Sequence, residues 1–205
     1  MLHIQGLPLG DYQTNCYILW GENASSCVVI DPGYDAQRIL QQIAQLGLSV
    51  EAIFLTHGHF DHVGAVEEIV QKTGCALWMH QADWAIEPGY GIAQLFPLAN
   101  CDFCPVNFYD HHQQIFAARL TFRIWQTPGH TWGSVCIGCE DVLFTGDTLF
   151  AGSIGRTDFP HSHHPTMLDS LNFLKSQDKD YTLYPGHGEA SSLSYEKKYN
   201  PFLTL

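Results

Sequence analysis

Basic residues are scarce in this 205-residue chain. Nine lysines and arginines stand against 21 aspartates and glutamates, which gives a formal net charge of −12 at pH 7. Proteins that bind nucleic acids usually present a basic face, because their cations displace counterions from the phosphate backbone. The acidic balance therefore argues against a nucleic-acid partner. We expect a small-molecule substrate instead.

Long apolar runs are also missing. No uncharged apolar segment reaches the roughly 18 residues that mark a candidate membrane-spanning helix. The first residues, Met-Leu-His-Ile-Gln-Gly-Leu-Pro, lack the basic stretch followed by an apolar segment that is typical of a secretory leader. We expect no membrane association and a cytoplasmic location.

The seven cysteines are an odd number and are dispersed along the chain, which predicts reduced thiols rather than a disulfide framework. Two pairs, Cys101 with Cys104 and Cys136 with Cys139, have the Cys-x-x-Cys spacing of zinc sites. Cys136 and Cys139, however, fall in an apparent strand, where residues three apart point to opposite faces. The separation between the pairs also exceeds the usual ribbon spacing. We expect buried or incidental thiols.

Strand and helix patterns alternate along the chain without a repeat, linker or low-complexity stretch. With 45% hydrophobic residues, a chain of this length can bury a full core, so we expect a single domain over residues 1–205. The predicted strands are 16–20, 27–30, 50–56, 119–126, 134–137, 142–145 and 181–184. The predicted helices are one from the N-cap Asp35 to Gly47, one from Val63 to Gly74, and one over about 164–175. The pattern is mixed α/β, with helices packed on sheets.

In the first helix, four apolar residues are predicted to share the buried face: Ile39, Leu40, Ile43 and Leu46. Gly47 is predicted to take the left-handed position at the helix end.

A set of histidines and aspartates forms the main motif of the sequence. Each follows an apolar run and lies in a short segment punctuated by glycine or threonine, which is typical of strand ends. The members are His57, His59, Asp61, His62, His130, Asp147 and His187. Side chains at strand ends can converge, and imidazoles and carboxylates are the usual protein ligands of zinc and related metals.

The spacing divides these residues between two metals. Residues two apart in an extended segment point the same way, so one metal can accept both imidazoles of the first His-Gly-His. The chain then turns into a helix, which directs the next Asp-His pair to a second metal. A carboxylate has two oxygens and can bridge. We assign to metal one His57, His59 and His130, to metal two Asp61, His62 and His187, and to both metals Asp147.

Scattered histidines are more often surface or hydrogen-bonded core residues than ligands, and the chain has 12 of them. Four ligand-type residues within six positions, joined by three more at strand ends, favour the metal interpretation over chance. For the remaining histidines we expect polar surface or loop roles: His3, His80, His111, His112, His161, His163 and His164. The donors suit two divalent cations, with zinc as the first expectation and iron or manganese as alternatives.

The chain resembles the metallo-β-lactamase superfamily over nearly its whole length. The segments that carry the resemblance are Thr14-Asn-Cys-Tyr17, Asp31-Pro-Gly33, Thr56-His-Gly-His-Phe-Asp-His62, Thr127-Pro-Gly-His-Thr131, Gly146-Asp-Thr-Leu-Phe150 and Pro185-Gly-His-Gly188. The resemblance implies an αβ/βα four-layer sandwich of two mixed sheets flanked by helices, with the metals at the open edge between the sheets.

Within the superfamily, the chain looks most like short glyoxalase II-type hydrolases of thioesters such as hydroxyacylglutathione. The closest matches are Phe144-Thr-Gly-Asp-Thr-Leu-Phe150, Gly155-Arg-Thr-Asp-Phe159 and Tyr199-Asn-Pro-Phe202. The resemblance implies a thioesterase that acts on S-lactoylglutathione, with a metal-bridging hydroxide as nucleophile and Asp61 beside it. A thiol has a pKa of about 8.5, so the leaving thiolate barely requires protonation.

Two other activities stay open at this point. An iron-dependent persulfide dioxygenase family also shows the Gly-Arg-Thr-Asp-Phe run, and its resemblance implies one iron held by His57, His130 and Asp147, a two-histidine, one-carboxylate arrangement suited to oxygen activation. A lactonase is a weaker third option. Metallo-β-lactamases proper usually carry Cys or Ser where this chain has Asp147 and are exported, which argues against them.

Two further residues complete the prediction. Asp31 looks like the superfamily's acid that orders the metal loop, and a simple turn-forming aspartate is the alternative. Arg156 stands where glyoxalase II-type enzymes place a basic residue that holds the glutathione carboxylate. A structural ion pair with Asp158 is the alternative for Arg156.

Overall fold

Two six-stranded mixed sheets form the centre of the molecule. The computed structural model describes residues 1–84 and 106–204. Sheet one contains, in spatial order, β1 (Leu2–Leu9), β2 (Thr14–Gly21), β3 (Ser26–Ile30), β4 (Ser49–Phe54), β5 (Ala76–Met79) and β6 (Val106–Phe108). Its first three strands are antiparallel, and β3 to β6 are parallel.

Sheet two contains six strands from the second half of the chain, and His130, Asp147 and His187 follow three of them. It comprises β7 (Gln114–Ala117), β8 (Leu120–Gln126), β9 (Val135–Cys139), β10 (Val142–Gly146), β13 (Thr182–Pro185) and β14 (Ser191–Ser192). Their spatial order is β14-β13-β10-β9-β8-β7, in which only β10 and β13 pair in parallel. A small hairpin joins β11 (Leu149–Phe150) to β12 (Ser153–Ile154).

Helices cover the outer faces of both sheets. They are α1 (Ala36–Gln45), α2 (Phe60–Val63), α3 (Val66–Thr73), α4 (Gln81–Trp84), α5 (His164–Lys175) and α6 (Leu193–Tyr199). One core lies between sheet one and α1 with α3, and another lies between sheet two and α5 with α6. The middle core lies between the two sheets, where the ring centroids of Phe54 and Phe122 are 4.9 Å apart. The four-layer α/β fold expected from the resemblance is confirmed.

Successive side chains of a strand point to opposite faces of the sheet, and this alternation separates the cores. In β2, Cys16 and Ile18 pack toward the helices, whereas Tyr17 and Leu19 pack into the core between the sheets. Cys136 and Cys139 likewise belong to different cores, so their side chains do not form one site. The other pair, Cys101 and Cys104, lies outside the described residues.

The predicted strands are present with small shifts at their ends, and α5 has the predicted bounds. Asp35 caps α1 by accepting a hydrogen bond from the backbone of Arg38, and Gly47 adopts a φ of +72°. The inward placement of Leu46 was wrong, because this residue is the C-cap and is exposed. The helix predicted from Val63 to Gly74 is divided into α2 and α3. The short strands β5, β6, β7, β11, β12 and β14, the N-terminal strand β1, and helices α4 and α6 were not predicted.

The division of that helix coincides with a contact to the neighbouring turn, since the backbone N–H of Ala65 donates a 2.9 Å hydrogen bond to the carbonyl oxygen of Pro32. Gly64 lies between α2 and α3, and a Cβ atom at this position would overlap the carbonyl oxygen of Gly33. The chain bends where it passes over the Asp31-Pro-Gly33 turn. None of the helices within the described ranges is long and apolar enough to cross a bilayer.

Candidate metal centre

The strand order brings the predicted ligands together at one end of the sandwich. In sheet one, β3 and β4 are parallel, so Asp31 and His57 follow strand ends at the same edge. In sheet two, β10 and β13 are parallel, which places Asp147 beside His187. Strand β8 has the same direction as β10, because both are antiparallel to β9, and its continuation carries His130 to this edge.

Three buried imidazoles form the metal-one group of His57, His59 and His130. Nδ1 of His59 lies 3.0 Å from Nε2 of His57 and 2.8 Å from Nε2 of His130. The ring nitrogens that point away from this group have other partners. Nδ1 of His130 lies 2.8 Å from the carbonyl oxygen of Arg156, and Nδ1 of His57 lies 3.1 Å from Oγ1 of Thr56. When these outer nitrogens carry the protons, the inner lone pairs converge on one point.

Asp61, His62 and His187 form the metal-two group. Oδ2 of Asp61 lies 3.3 Å from Nε2 of His187 and 3.8 Å from Nε2 of His62. The outer nitrogens again have acceptors. Nδ1 of His62 is 3.0 Å from Oδ2 of Asp31, and Nδ1 of His187 is 3.1 Å from the carbonyl oxygen of Tyr12. Such outer hydrogen bonds fix the tautomer and orientation of metal-binding imidazoles.

Asp147 lies between the two groups. Its Oδ2 is 3.5 Å from Nε2 of His130 and 3.6 Å from Nε2 of His187, and its Oδ1 is 3.4 Å from Nε2 of His62. Within the described residues, Oδ1 is buried without a hydrogen-bond partner. A buried carboxylate oxygen in this state can accept a cation as its partner, so the donors fit two divalent metals.

The electrostatics of the two groups differ. Burial, aided by neighbouring imidazoles, lowers the pKa of His57 well below its ordinary value and that of His59 to about 3. Burial opposes charge on His62 as well, but the carboxylates of Asp147 and Asp31 outweigh it and raise the His62 pKa. Neutral imidazole is the form that binds a metal, so the metal-one group is already in its binding form.

Asp31 connects the turn after β3 to the first ligand loop. Its backbone is in the left-handed region at φ +49°, and its side chain is buried. The carboxylate accepts hydrogen bonds from the backbone and the hydroxyl of Thr56, at 2.8 and 2.6 Å, and contacts His62. A simple turn-forming aspartate would contact only its own turn. Asp31 also contacts Thr56 and His62, which lie in the segment of the predicted ligands.

Asp83 was not singled out from the sequence. It lies in α4, is fully buried, and accepts hydrogen bonds from the backbone of Gly58 and Gly133 and from the hydroxyl of Thr131. Burial raises its pKa to about 6, against the opposing effect of these hydrogen bonds. One feature of the sequence could have indicated this role: Asp83 lies just after β5, which is parallel to β4 and ends at the same edge of the sheet.

His161 was expected to be a polar surface group or a loop hydrogen-bonder rather than a ligand; it does lie in a turn, but it is not at the surface. The side chain is buried, and its Nε2 lies 2.6 Å from Nε2 of His59. Its ring stacks on Phe159 at an interplanar angle of 7°. No spacing rule connects residue 161 to the ligand motif, because the segment before it forms neither a strand nor a helix.

A cleft of about 460 Å³ opens above the two donor groups. Aromatic rings form much of its wall, with contributions from Tyr12, Phe60, Phe150 and Phe159. Arg156 also lines it, and its guanidinium makes two hydrogen bonds to Asp158 of 2.8 and 2.9 Å and lies over the ring of Phe159. The ion pair with Asp158 is present, and the side chain remains 66% exposed at the rim of the cleft.

The fold and this arrangement of donors define a class of metal-dependent hydrolase. The family model of the metallo-beta-lactamase superfamily matches residues 9–187, and the chain belongs to this superfamily. It is 36% identical to the hydroxyacylglutathione hydrolase GloC of Haemophilus influenzae over 98% of each chain.

Solved structures agree with the family assignment. The chain is similar to the BLEG-1 B3 metallo-beta-lactamase, with a TM-score of 0.85 and 31% identity over 99% of this chain and all of the other. It is also similar to TTHA1623 in a di-iron-bound form, with a TM-score of 0.81 and 33% identity over 97% of this chain and all of the other.

Proposed function

We propose that the chain is a dinuclear metal-dependent hydrolase of thioesters of the hydroxyacylglutathione type. The observation that carries the proposal is the position of Asp147 between two groups of donors, with Oδ1 near His62 and Oδ2 near both His130 and His187. One carboxylate can then be shared by two cations. The similarity to the GloC hydroxyacylglutathione hydrolase supports the substrate class, and the di-iron relative supports two metals.

In this proposal, metal one is held by His57, His59 and His130, metal two by Asp61, His62 and His187, and Asp147 is common to both. Bound divalent cations supply hydroxide near neutral pH and stabilise negative charge on a carbonyl oxygen. The donor set suits zinc, iron or manganese. Because a similar protein binds two irons, the identity of the metals has to be determined by experiment.

The chain's own residues position the reactants. Asp61 lines the cleft, and the hydroxyl of Thr14 donates a 3.1 Å hydrogen bond to its Oδ2, which holds the carboxylate beside the reaction site. The aromatic wall excludes water from the acyl group. A thioester in the cleft would have its scissile carbonyl beside the residues that would hold the metals and its thiol part toward the rim at Arg156. A thiolate needs no dedicated acid, since the pKa of a thiol is about 8.5.

A persulfide dioxygenase is the second candidate. His57, His130 and Asp147 provide two imidazoles and one carboxylate, and Oδ2 of Asp147 is 3.5 Å from His130, so three donors could hold a single iron. The similarity to a B3 metallo-beta-lactamase also brings β-lactams back among the substrates to be assayed, although Asp147 stands where those enzymes usually carry Cys or Ser.

The experiment is a substrate panel with protein reconstituted separately with zinc, iron or manganese. The substrates are S-lactoylglutathione, glutathione persulfide with oxygen uptake, a homoserine lactone and nitrocefin. We expect efficient turnover of the thioester alone. Inertness toward acyl-glutathione thioesters in every metal form contradicts the proposal, and oxygen uptake on the persulfide selects the second candidate.

Arg156→Ala is expected to raise KM for S-lactoylglutathione about two- to fivefold and to leave kcat within a factor of two. The guanidinium is exposed at the rim, where an ion pair with a substrate carboxylate is worth up to about 1 kcal/mol. Steady-state kinetics measure both constants, with Arg123→Ala on sheet two as the matched control. A kcat effect larger than the KM effect would show that Arg156 acts on the reaction step instead.

A further inference from the structure

The carboxylate of Asp83 links two loops that are far apart in sequence. Its Oδ2 accepts hydrogen bonds of 2.8 Å from the backbone of Gly58 and 2.7 Å from the hydroxyl of Thr131. Its Oδ1 accepts a 2.7 Å hydrogen bond from the backbone of Gly133. The side chain has no exposed surface. Burying a carboxylate is unfavourable unless hydrogen bonds offset the cost of desolvation. The two loops supply these hydrogen bonds, so their positions depend on the carboxylate.

The partners of Asp83 flank the ligands of metal one. Gly58 lies between His57 and His59, and Thr131 directly follows His130. In the two described segments, none of the hydrogen bonds joins Asp83 to the metal-two group of Asp61, His62 and His187. The fit is tight on one side as well, because a Cβ atom at Gly133 would lie 2.5 Å from Oδ1 of Asp83.

We propose that Asp83 is the positioning residue for the metal-one half of the centre. It holds the backbones of both loops at the separation at which the three imidazoles of His57, His59 and His130 converge. This inference rests on the dinuclear centre proposed above. Asp83 binds no substrate or metal itself. Groups that support metal ligands from behind usually change metal affinity 10- to 100-fold when they are replaced, which gives the scale of the expected effect.

The experiment is a titration of metal-free protein with Zn²⁺ alone by calorimetry, without substrate. His59→Ala and His187→Ala identify the binding steps of metal one and metal two. In Asp83→Asn, an amide NH₂ replaces one of two accepting oxygens and cannot accept from Gly58 or Gly133. We expect a 10- to 100-fold loss of affinity in the step that His59→Ala removes, and a change of less than twofold in the step that His187→Ala removes.

Glu196→Gln is the matched control. Glu196 is also a fully buried carboxylate, and it accepts hydrogen bonds from the backbone of Gly152 and the side chains of Ser191 and Asn200, away from the ligand loops. We expect this variant to lose stability while both Zn²⁺ steps keep their affinity. A comparable loss in Glu196→Gln would mean that any weakened core impairs metal one, which overturns the special role of Asp83.

Thr131→Val provides the milder test if Asp83→Asn does not fold. It removes one hydrogen bond to Asp83 and preserves the shape of the side chain, so we expect about a fivefold loss in the metal-one step alone. Equal losses in both steps, or no loss in a folded variant, overturn the inference. Failure of the proposed function looks different, because wild-type protein would then bind one metal or leave thioesters intact.

Discussion

Asp147→Asn is expected to lower kcat/KM for S-lactoylglutathione about 10²- to 10³-fold and to reduce the number of tightly bound metals below two per chain. Asp147 is the carboxylate that lies between the two histidine groups, within 3.6 Å of His62, His130 and His187. The amide has one neutral oxygen, so it can neither balance two cations nor offer an oxygen to each of them.

Asp169→Asn is the control for this substitution. Asp169 is exposed on α5, so its replacement removes the same charge at a distance from the site. Kinetics and elemental analysis should not distinguish this variant from the wild type. An Asp147→Asn enzyme that kept two metals and more than a tenth of the activity would show that Asp147 does not bridge the centre.

Gly33→Ala is expected to destabilise the metal-free protein by about 3 kcal/mol. Gly33 ends the Asp-Pro-Gly turn after β3, and a Cβ atom there would overlap the carbonyl oxygen of Asp61. Because this oxygen belongs to the backbone, no side-chain rotation relieves the clash. The ligand loop must shift instead, so Gly33→Ala should also weaken binding of metal two.

Urea denaturation in the presence of a chelator measures this effect. Gly47→Ala is the matched control, because Gly47 has a φ of +72° and a methyl group added there would meet no atom within 4 Å. Its expected cost is about 1–2 kcal/mol, which is the backbone penalty alone. If the two alanine variants had the same free energy of unfolding, the close contact between Gly33 and Asp61 would not contribute to the cost of Gly33→Ala.

The division of the predicted ligands into two sets depends on local rules that the sequence shows. His57 and His59 are two apart in an extended segment, and Asp61 and His62 follow where the chain turns into α2, so spacing alone separated two directions. The structure brings together His57, His59 and His130 as one group and Asp61, His62 and His187 as another, and a third group of His57, His62 and Asp147 lies between them. The family resemblance supplied the four-layer arrangement of two mixed sheets flanked by helices, which is confirmed and which local periodicity leaves undetermined.

Residues behind the ligands were harder to predict. Asp31 was found because it ends an obvious strand, whereas Asp83 follows the short strand β5, whose four residues gave too little pattern to recognise. Its partners come from loops 25 to 50 residues away in sequence, as in the bonds to Gly58 and Gly133. His161 depends in the same way on tertiary folding. Spacing rules describe one element at a time and therefore miss such contacts.

The misplacement of Leu46 has a comparable origin. Helical periodicity placed it on the buried face with Ile39 and Ile43, but α1 ends at Gln45. Leu46 therefore leaves the helix before its side chain reaches the core. The break between α2 and α3 was also invisible to periodicity, since it lies where Gly64 and Ala65 contact the distant turn at Pro32 and Gly33.

In the proposed function, two metals act together on a thioester. The most direct test is to titrate metal-free protein anaerobically with zinc and, separately, with ferrous iron, while following hydrolysis of S-lactoylglutathione at each metal-to-protein ratio. We expect activity to rise until two equivalents are bound and then to remain constant. A plateau at one equivalent of iron without thioester cleavage, together with oxygen uptake on glutathione persulfide when air is admitted, would contradict the account.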